Sequence, residues 1–392
     1  MFASSLYHMP LTEYNYYRGG VLSNDGKFMC TVHDLQRYTL ILHDMQSCVQ
    51  RGFRERSRVD CICFSHCDQF LFVASTTGIE KWQLNSRSLV GVVVCPMISI
   101  NHMSCSSKLF GCTGNLSLNV NKAYVWDLHQ FDSPDYTNYN SHRTLSSSDD
   151  DCNDMKIITF HPDGNHIAVA RQTIEDTKIG VWCAQSFLLL HELPIYGGIS
   201  SLTYSPCGKY LATSGLFYDH SDTYNFDSHH IYMWSVLKDR AYEHVKSIRF
   251  ADPDPDILMK QNYASAMAFS PWSDFVIMIG RFLHSGGARN GLPSRLWKAY
   301  ECELSTGKIV SETHLEDTDL RDVERLSCSY DSKGEKVVIG ATGGTIVVNL
   351  AFCGKQRRQL ISRHNYSLIL LQKQLWWPSD ISKLLKTYLL CE

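Results

Sequence analysis

The chain lacks any excess of positive charge: 37 Lys and Arg stand against 40 Asp and Glu, a formal net charge of −3. A general nucleic-acid binder usually carries a strong basic excess, so the composition argues against that class, though not against a local basic patch. Long apolar runs are also missing. The longest, around Leu89 to Ile100, is interrupted by Pro96 and falls far short of the roughly 20 residues that span a bilayer. No membrane insertion is expected. The opening "MFASSLYHMPLTEYNYY" has neither a basic n-region nor an apolar h-region, which is not how a secretory leader reads. Fifteen cysteines would suit a disulfide-rich secreted protein. Without a leader they are expected to be mostly free, buried thiols in a reducing compartment, cytoplasmic and/or nuclear.

Catalytic signatures are absent too. There is no Gly-rich phosphate loop, no nucleophile elbow and no His-Glu-x-x-His. The run "CICFSHCD" crowds Cys61, Cys63, His66 and Cys67 together, but not at the Cys-x-x-Cys spacing of a zinc knuckle. On a strand Cys61 and Cys63 share one face, and His66 and Cys67 fall in the following turn. These read as small core thiols. No enzyme activity, metal or cofactor is expected.

What is present is repetition, which decides a fold before any local motif does. "IITFHPDGNHIAVA" (157–170) and "SLTYSPCGKYLATS" (201–214) are two versions of one phrase: an alternating strand, a Ser/His-Pro-x-Gly turn, and a second alternating strand. Pro pre-sets φ early in such a turn and Gly accepts positive φ later, so the chain reverses into a hairpin. Weaker copies occupy 20–32, 61–74, 102–114, 266–280 and 326–340, making seven. Several precede a third strand ending in Trp or an acidic residue: "GIEKWQL", "KAYVWDL", "KIGVWCA", "HIYMWSV". The first copy has "YTLILHD" in that place and the last "TIVVNL".

Four strands per unit at this spacing is the mark of a propeller blade. The chain resembles the WD-repeat family, with Trp126-Asp127 as its literal Trp-Asp pair and no Gly-His at the start of a blade. The resemblance implies an all-β fold, a seven-bladed WD-repeat-like β-propeller over 15–362, with strands a, b, c and an outer strand d in each blade. The missing outer strand of the last blade could come from "KQRRQLIS" (355–362) or from the N-terminal segment 1–14, through "SLYHMPL" (5–11). The second would zip the two ends together and remove an exposed edge.

Long insertions on a rigid ring are where such proteins bind partners. "TNYNSHRTLSSSDDDCND" (137–154) reads as a solvated, dispensable loop in which Ser146, Ser147 and Ser148 precede three aspartates, a context that suits an acid-directed kinase. "FYDHSDTYNFDSHH" (217–230) and "RFLHSGGARNGLPSR" (281–295) read as further long loops, and "RGFRERSR" (51–58) as a solvated outer strand.

The C-terminal segment, 363–392, departs from the strand pattern. Ile381, Leu384, Leu385, Tyr388 and Leu389 fall on one helical stripe, with Ser379 or Asp380 placed to cap it. A short α-helical tail is expected, either docked on the propeller or recruiting another protein. The tail resembles a SOCS box, the module that recruits elongins B and C and a cullin to form a ubiquitin ligase. Ser367-Leu368 with Leu371 stand where that family places its elongin helix, though Gln372-Lys373 replace Cys-Arg. Leu375, Trp376, Trp377 and Pro378 follow, and then Leu385-Lys386-x-Tyr388-Leu389-Leu390, which matches the family's ending. The resemblance implies a non-catalytic substrate receptor that binds an unidentified protein through its propeller loops. The alternative is a WD-repeat scaffold whose tail packs on the propeller or another partner. Recruitment through the damaged-DNA-binding adaptor would want Trp-Asp-x-Arg, and His129 stands in place of that arginine.

Overall fold

The computed structural model describes residues 7–8, 17–25, 27–33, 39–44, 50–54, 59–75, 78–117, 120–132, 142–145, 154–172, 177–195, 197–218, 226–237, 241–250, 266–284, 294–315, 326–330, 336–341 and 344–349. The calls on Ser146, Ser147 and Ser148, and on the whole tail from Leu368 to Leu389, lie outside them.

After a first short strand, β1 (Tyr7–His8), blade 1 is built from β2 (Tyr17–Leu22), β3 (Phe28–His33), β4 (Thr39–Asp44) and β5 (Gln50–Arg54). Blade 2 follows as β6 (Val59–Phe64), β7 (Phe70–Ser75), β8 (Gly78–Gln83) and β9 (Ser88–Val93). Blade 3 comprises β10 (Ser99–Cys105), β11 (Leu109–Ser117), β12 (Val120–Asp127) and β13 (Arg143–Leu145), with a 3-10 turn at Leu128–Asp132 before β13. Blade 4 is β14 (Asp154–Phe160), β15 (His166–Gln172), β16 (Thr177–Cys183) and β17 (Leu189–Ile195). Blade 5 is β18 (Gly197–Tyr204), β19 (Tyr210–Tyr218), β20 (Phe226–Val236) and β21 (Tyr242–Phe250). Blade 6 is β22 (Ala266–Phe269), β23 (Phe275–His284), β24 (Ser294–Glu303) and β25 (Ile309–Leu315). The last sheet joins β26 (Leu326–Tyr330), β27 (Lys336–Ala341) and β28 (Gly344–Asn349) to β1.

Among the described residues, then, the strands form seven four-stranded antiparallel sheets. Six are consecutive runs of the chain, and the seventh takes its outer strand from the opposite end, through Tyr7↔Val347 and His8↔Ile346. Of the two candidates for that strand, the structure uses the N-terminal one. Inner strands pack on one another all the way round, β2 on β6, β6 on β10, β10 on β14, and so on to β26 on β2. The sheets therefore close into a ring, sealed where the N-terminal β1 completes the last blade.

The core fills from the alternation read in the sequence. Trp126, Trp182 and Trp234 on the third strands are 1%, 0% and 3% exposed, so the recurrent Trp is a packing residue between sheets. In blade 1 the same register position is His43, buried and hydrogen-bonded to Thr31 Oγ1 at 2.9 Å. In blade 6 it is Cys302, also fully buried. Just before this position the c–d register slips in blades 2, 4, 5 and 6, and such bulges raise the local twist a propeller blade needs.

Strands alternate in direction, so a–b and c–d turns leave one face of the ring and b–c and d–a connections leave the other. Three sequence expectations need correction here. The stretch 137–154 is not wholly loop: Arg143–Leu145 is the outer strand of blade 3, with Leu145 fully buried. The "loops" 217–230 and 281–295 are shorter than expected, because β19, β20, β23 and β24 extend into them.

Candidate interaction surface

The first face is built on one repeated device. The serine ending strand a turns its hydroxyl back to accept the first backbone N–H of strand b. Phe28 donates to Ser23 Oγ at 2.9 Å, Phe70 to Ser65 at 3.1 Å, Leu109 to Ser106 at 2.9 Å, Tyr210 to Ser205 at 3.0 Å and Phe275 to Ser270 at 3.1 Å. Each serine N–H also donates to the carbonyl of that same residue at 2.8–2.9 Å. Every such turn is thus clamped twice, and each hydroxyl contributes about 0.5–1.5 kcal/mol.

Neighbouring turns are tied to each other as well. In four turns the last residue has positive φ: Asp68 at 55°, Gly164 at 73°, Gly208 at 71° and Ser273 at 57°. Where that residue is not glycine, its side chain reaches the preceding blade. Asp68 accepts the N–H groups of Asn24 and Asp25 at 2.8 and 2.7 Å, and Ser273 Oγ accepts the N–H of Cys207 at 3.1 Å. A left-handed residue with a side chain costs roughly 1–2 kcal/mol, which these bonds offset. Burial pushes the Asp68 carboxyl above its ordinary range, with the two amides opposing that shift.

At Gly208 the geometry is inverted. His161 of blade 4 crosses the gap, its Nε2 lying 2.9 Å from the Gly208 carbonyl oxygen. A Cβ on Gly208 would stand 2.7 Å from the imidazole. Behind this joint lie Tyr204, Tyr242 and His166, with the two phenols 2.8 Å apart and Tyr242 3.2 Å from His166 Nδ1. Burial pushes Tyr242 up to about 12 and Tyr204 well above its ordinary value.

Blades 1 and 2 present Asn24, Asp25, Lys27, His66, Cys67 and Asp68. Blades 4 to 6, linked through His161 and Ser273, present Pro162, Pro206, Cys207, Pro271 and Trp272, together with the charged Asp163 and Lys209. Trp272 is 42% exposed on a turn whose both ends are fixed by Ser270 and Ser273. The Cys207 thiol is lowered despite partial burial, because the Ser205 and Ser273 hydroxyls and the Lys209 amide and charge favour its thiolate.

Among the described residues, His161 with Asp163, 2.6 Å from its Nδ1, next to Cys207 in the adjoining turn is the nearest approach to a catalytic constellation. The other imidazole nitrogen is committed to the Gly208 carbonyl, so the pair acts as a brace between blades. Among the described residues, no group of three or more His, Cys, Asp or Glu could hold a metal ion. Cys61 and Cys63 lie on β6 and His66 and Cys67 in the turn, as expected, but the reading as core thiols needs correction: Cys61 and Cys63 are half-buried and Cys67 is exposed, because the turn carries it out of the sheet packing. Sequence reasoning missed the Trp272 surface. Its signal was present in "SPWS", where a tryptophan holds the solvent-facing position of a turn.

No protein-family model matches the chain, and no curated protein matches it in sequence. Among solved structures it is similar to the β-propeller domain of Cps50 (Swd1) from Myceliophteria thermophila, with a TM-score of 0.62 and 14% identity. That match covers 88% of this chain and 98% of the other. It is also similar to hydrazine synthase of Kuenenia stuttgartiensis, with a TM-score of 0.60 and 12% identity over 84% of this chain and 94% of that one. At these identities the likeness shows the fold alone: the chain is a β-propeller.

Proposed function

We propose that the chain is a non-catalytic protein-interaction scaffold of the cytoplasm or nucleus, whose partner docks on the turn face of blades 4 to 6. The observation that carries this reading is Trp272, an exposed tryptophan on a doubly fixed turn beside Pro206, Cys207 and Pro271. Rigid, half-exposed aromatics on pre-formed surfaces are the residues that dominate protein-binding energies, at about 2 kcal/mol or more per hot spot. Affinity capture with the full chain and with Trp272→Ala tests it. Specific partners should be lost with the variant while its unfolding midpoint stays unchanged. An unchanged partner set would reject this surface.

A second reading concerns the tail, and the motif Leu385-Lys386-x-Tyr388-Leu389-Leu390 favours it. There the scaffold is the substrate receptor of a cullin-RING ubiquitin ligase, with Leu368, Leu371 and Trp376 meeting elongin and Tyr388 and Leu389 at the cullin side. Capture with the full chain and with a version ending at Arg363 decides it. Elongins B and C should be recovered only with the full chain, and their absence from both would end the ligase reading.

A further inference from the structure

Blades 2 and 3 meet in a core unusually rich in sulfur: Cys61, Cys63, Cys95, Cys105 and Cys112 with Met97 and Met103. Within it one pair stands out. Cys95 lies in the connection between β9 and β10, and Cys112 lies in β11, with their sulfurs 4.0 Å apart. Cys112 is fully buried and also meets Met97 Sδ at 3.8 Å, whereas Cys95 is partly open to solvent.

The pairing is held by the backbone. Ile98 donates its N–H to the Asn115 carbonyl at 2.7 Å, and Ile100 donates to the buried Asp60 carboxylate at 3.3 Å. Gly114, two residues beyond Cys112, lets the connection lie flat on β11, since a Cβ there would stand 2.1 Å from Ser99 O and 2.7 Å from Met97 Sδ. Three separate constraints therefore fix the Cys95 connection over Cys112.

We propose that Cys95 and Cys112 form a peroxide-sensitive dithiol that closes reversibly to a disulfide. The Cys95 thiolate attacks a hydroperoxide, breaking its O–O bond and becoming a sulfenic acid as hydroxide or alkoxide leaves. The Cys112 thiol, losing its proton, then displaces the sulfenic oxygen as water, so two electrons pass from the two thiols to one peroxide. The sulfurs, already in contact at 4.0 Å, must close to about 2.0 Å. The roles follow from the surroundings. The hydrogen bond between the two sulfurs lowers the Cys95 thiol against the opposing effect of burial, and burial pushes Cys112 well above its ordinary value. A partly exposed thiol of lowered pKa beside a second thiol that can resolve it is the arrangement of peroxide-responsive cysteines.

The test treats the reduced full chain with hydrogen peroxide, blocks free thiols by alkylation, and maps the peptides by mass spectrometry. A Cys95–Cys112 linkage should form roughly tenfold faster than any linkage through Cys61, Cys63 or Cys105 and should reverse with dithiothreitol. Cys112→Ser should stop at a sulfenic acid on Cys95 that dimedone traps. Should that variant fail to fold, the wild-type linkage map decides alone, with Cys95→Ser expected to abolish it. Linkage through other cysteines, or wild-type oxidation of Cys95 directly to the sulfinic acid, would overturn the proposal.

Discussion

Truncating Leu145 to alanine asks whether a three-residue strand inside a polar insertion holds blade 3 together. β13 pairs with β12 through Leu145↔Ala123, Thr144↔Tyr124 and Arg143↔Val125. Leu145 has no exposed surface and packs with Ala123, Val125, Met155 and Ile158, the last two from blade 4. The substitution thus opens a cavity at a joint between blades. Fully buried Leu→Ala changes destabilise by about 2–5 kcal/mol. An outer strand can relax inward more easily than a central one, so roughly 3 kcal/mol is expected here. Equilibrium urea unfolding followed by tryptophan fluorescence reads it, since Trp126 and Trp182 are buried nearby. Deletion of residues 147–152, which hold Ser147, Ser148 and the three aspartates, should by contrast shift stability by no more than about 0.5 kcal/mol. A loss under about 1 kcal/mol for Leu145→Ala would show that the strand contributes little and that the packing argument is wrong.

Two further perturbations address the joint between blades 4 and 5. Gly208→Ala places a Cβ 2.7 Å from the His161 imidazole at a φ of +71°, so it should destabilise by at least about 1–2 kcal/mol, with His161→Ala restoring part of the loss in a double-mutant cycle. Asp163 should confer a pH dependence. Burial raises its carboxyl, but the Asn165 bonds and His161 outweigh this and hold it below the ordinary value. Its contribution is complete above the unfolded-state carboxylate pKa and disappears as the pH falls through the lowered folded-state value, so Asp163→Asn should flatten acid unfolding curves in that window.

The hairpins were legible in the sequence because each is local. Every quoted phrase corresponds to the inner two strands of one sheet, as at 157–170 with β14 and β15. The serine clamps were partly legible, since Ser205 and Ser270 precede proline in the turn phrases. The outer strands were harder, because an edge strand with one buried residue, such as Arg143–Leu145, has almost no hydrophobic pattern. The third strand of blade 6 was hidden because Cys302 replaces the tryptophan that marked its counterparts. The ties between turns could not be read at all. Asn24 meets Asp68, His161 meets Gly208 and Cys207 meets Ser273 across separations of 44, 47 and 66 residues, and no local periodicity encodes such pairs. Trp272 lies in a local turn, but the phrase "AMAFSPWSDFVIMIG" does not say which way its ring points; the clamps at Ser270 and Ser273 hold it 42% exposed.

The central claim, that a rigid turn face on blades 4 to 6 receives a protein partner, is tested most directly by hydrogen–deuterium exchange of the full chain with and without a partner captured through it. Peptides covering Pro206–Gly208 and Pro271–Ser273 should gain protection on binding, and those covering the turns at Ser23–Asp25 and Ser65–Asp68 should stay as they are. Protection confined to the outer strands, or to residues 363–392, would contradict the account.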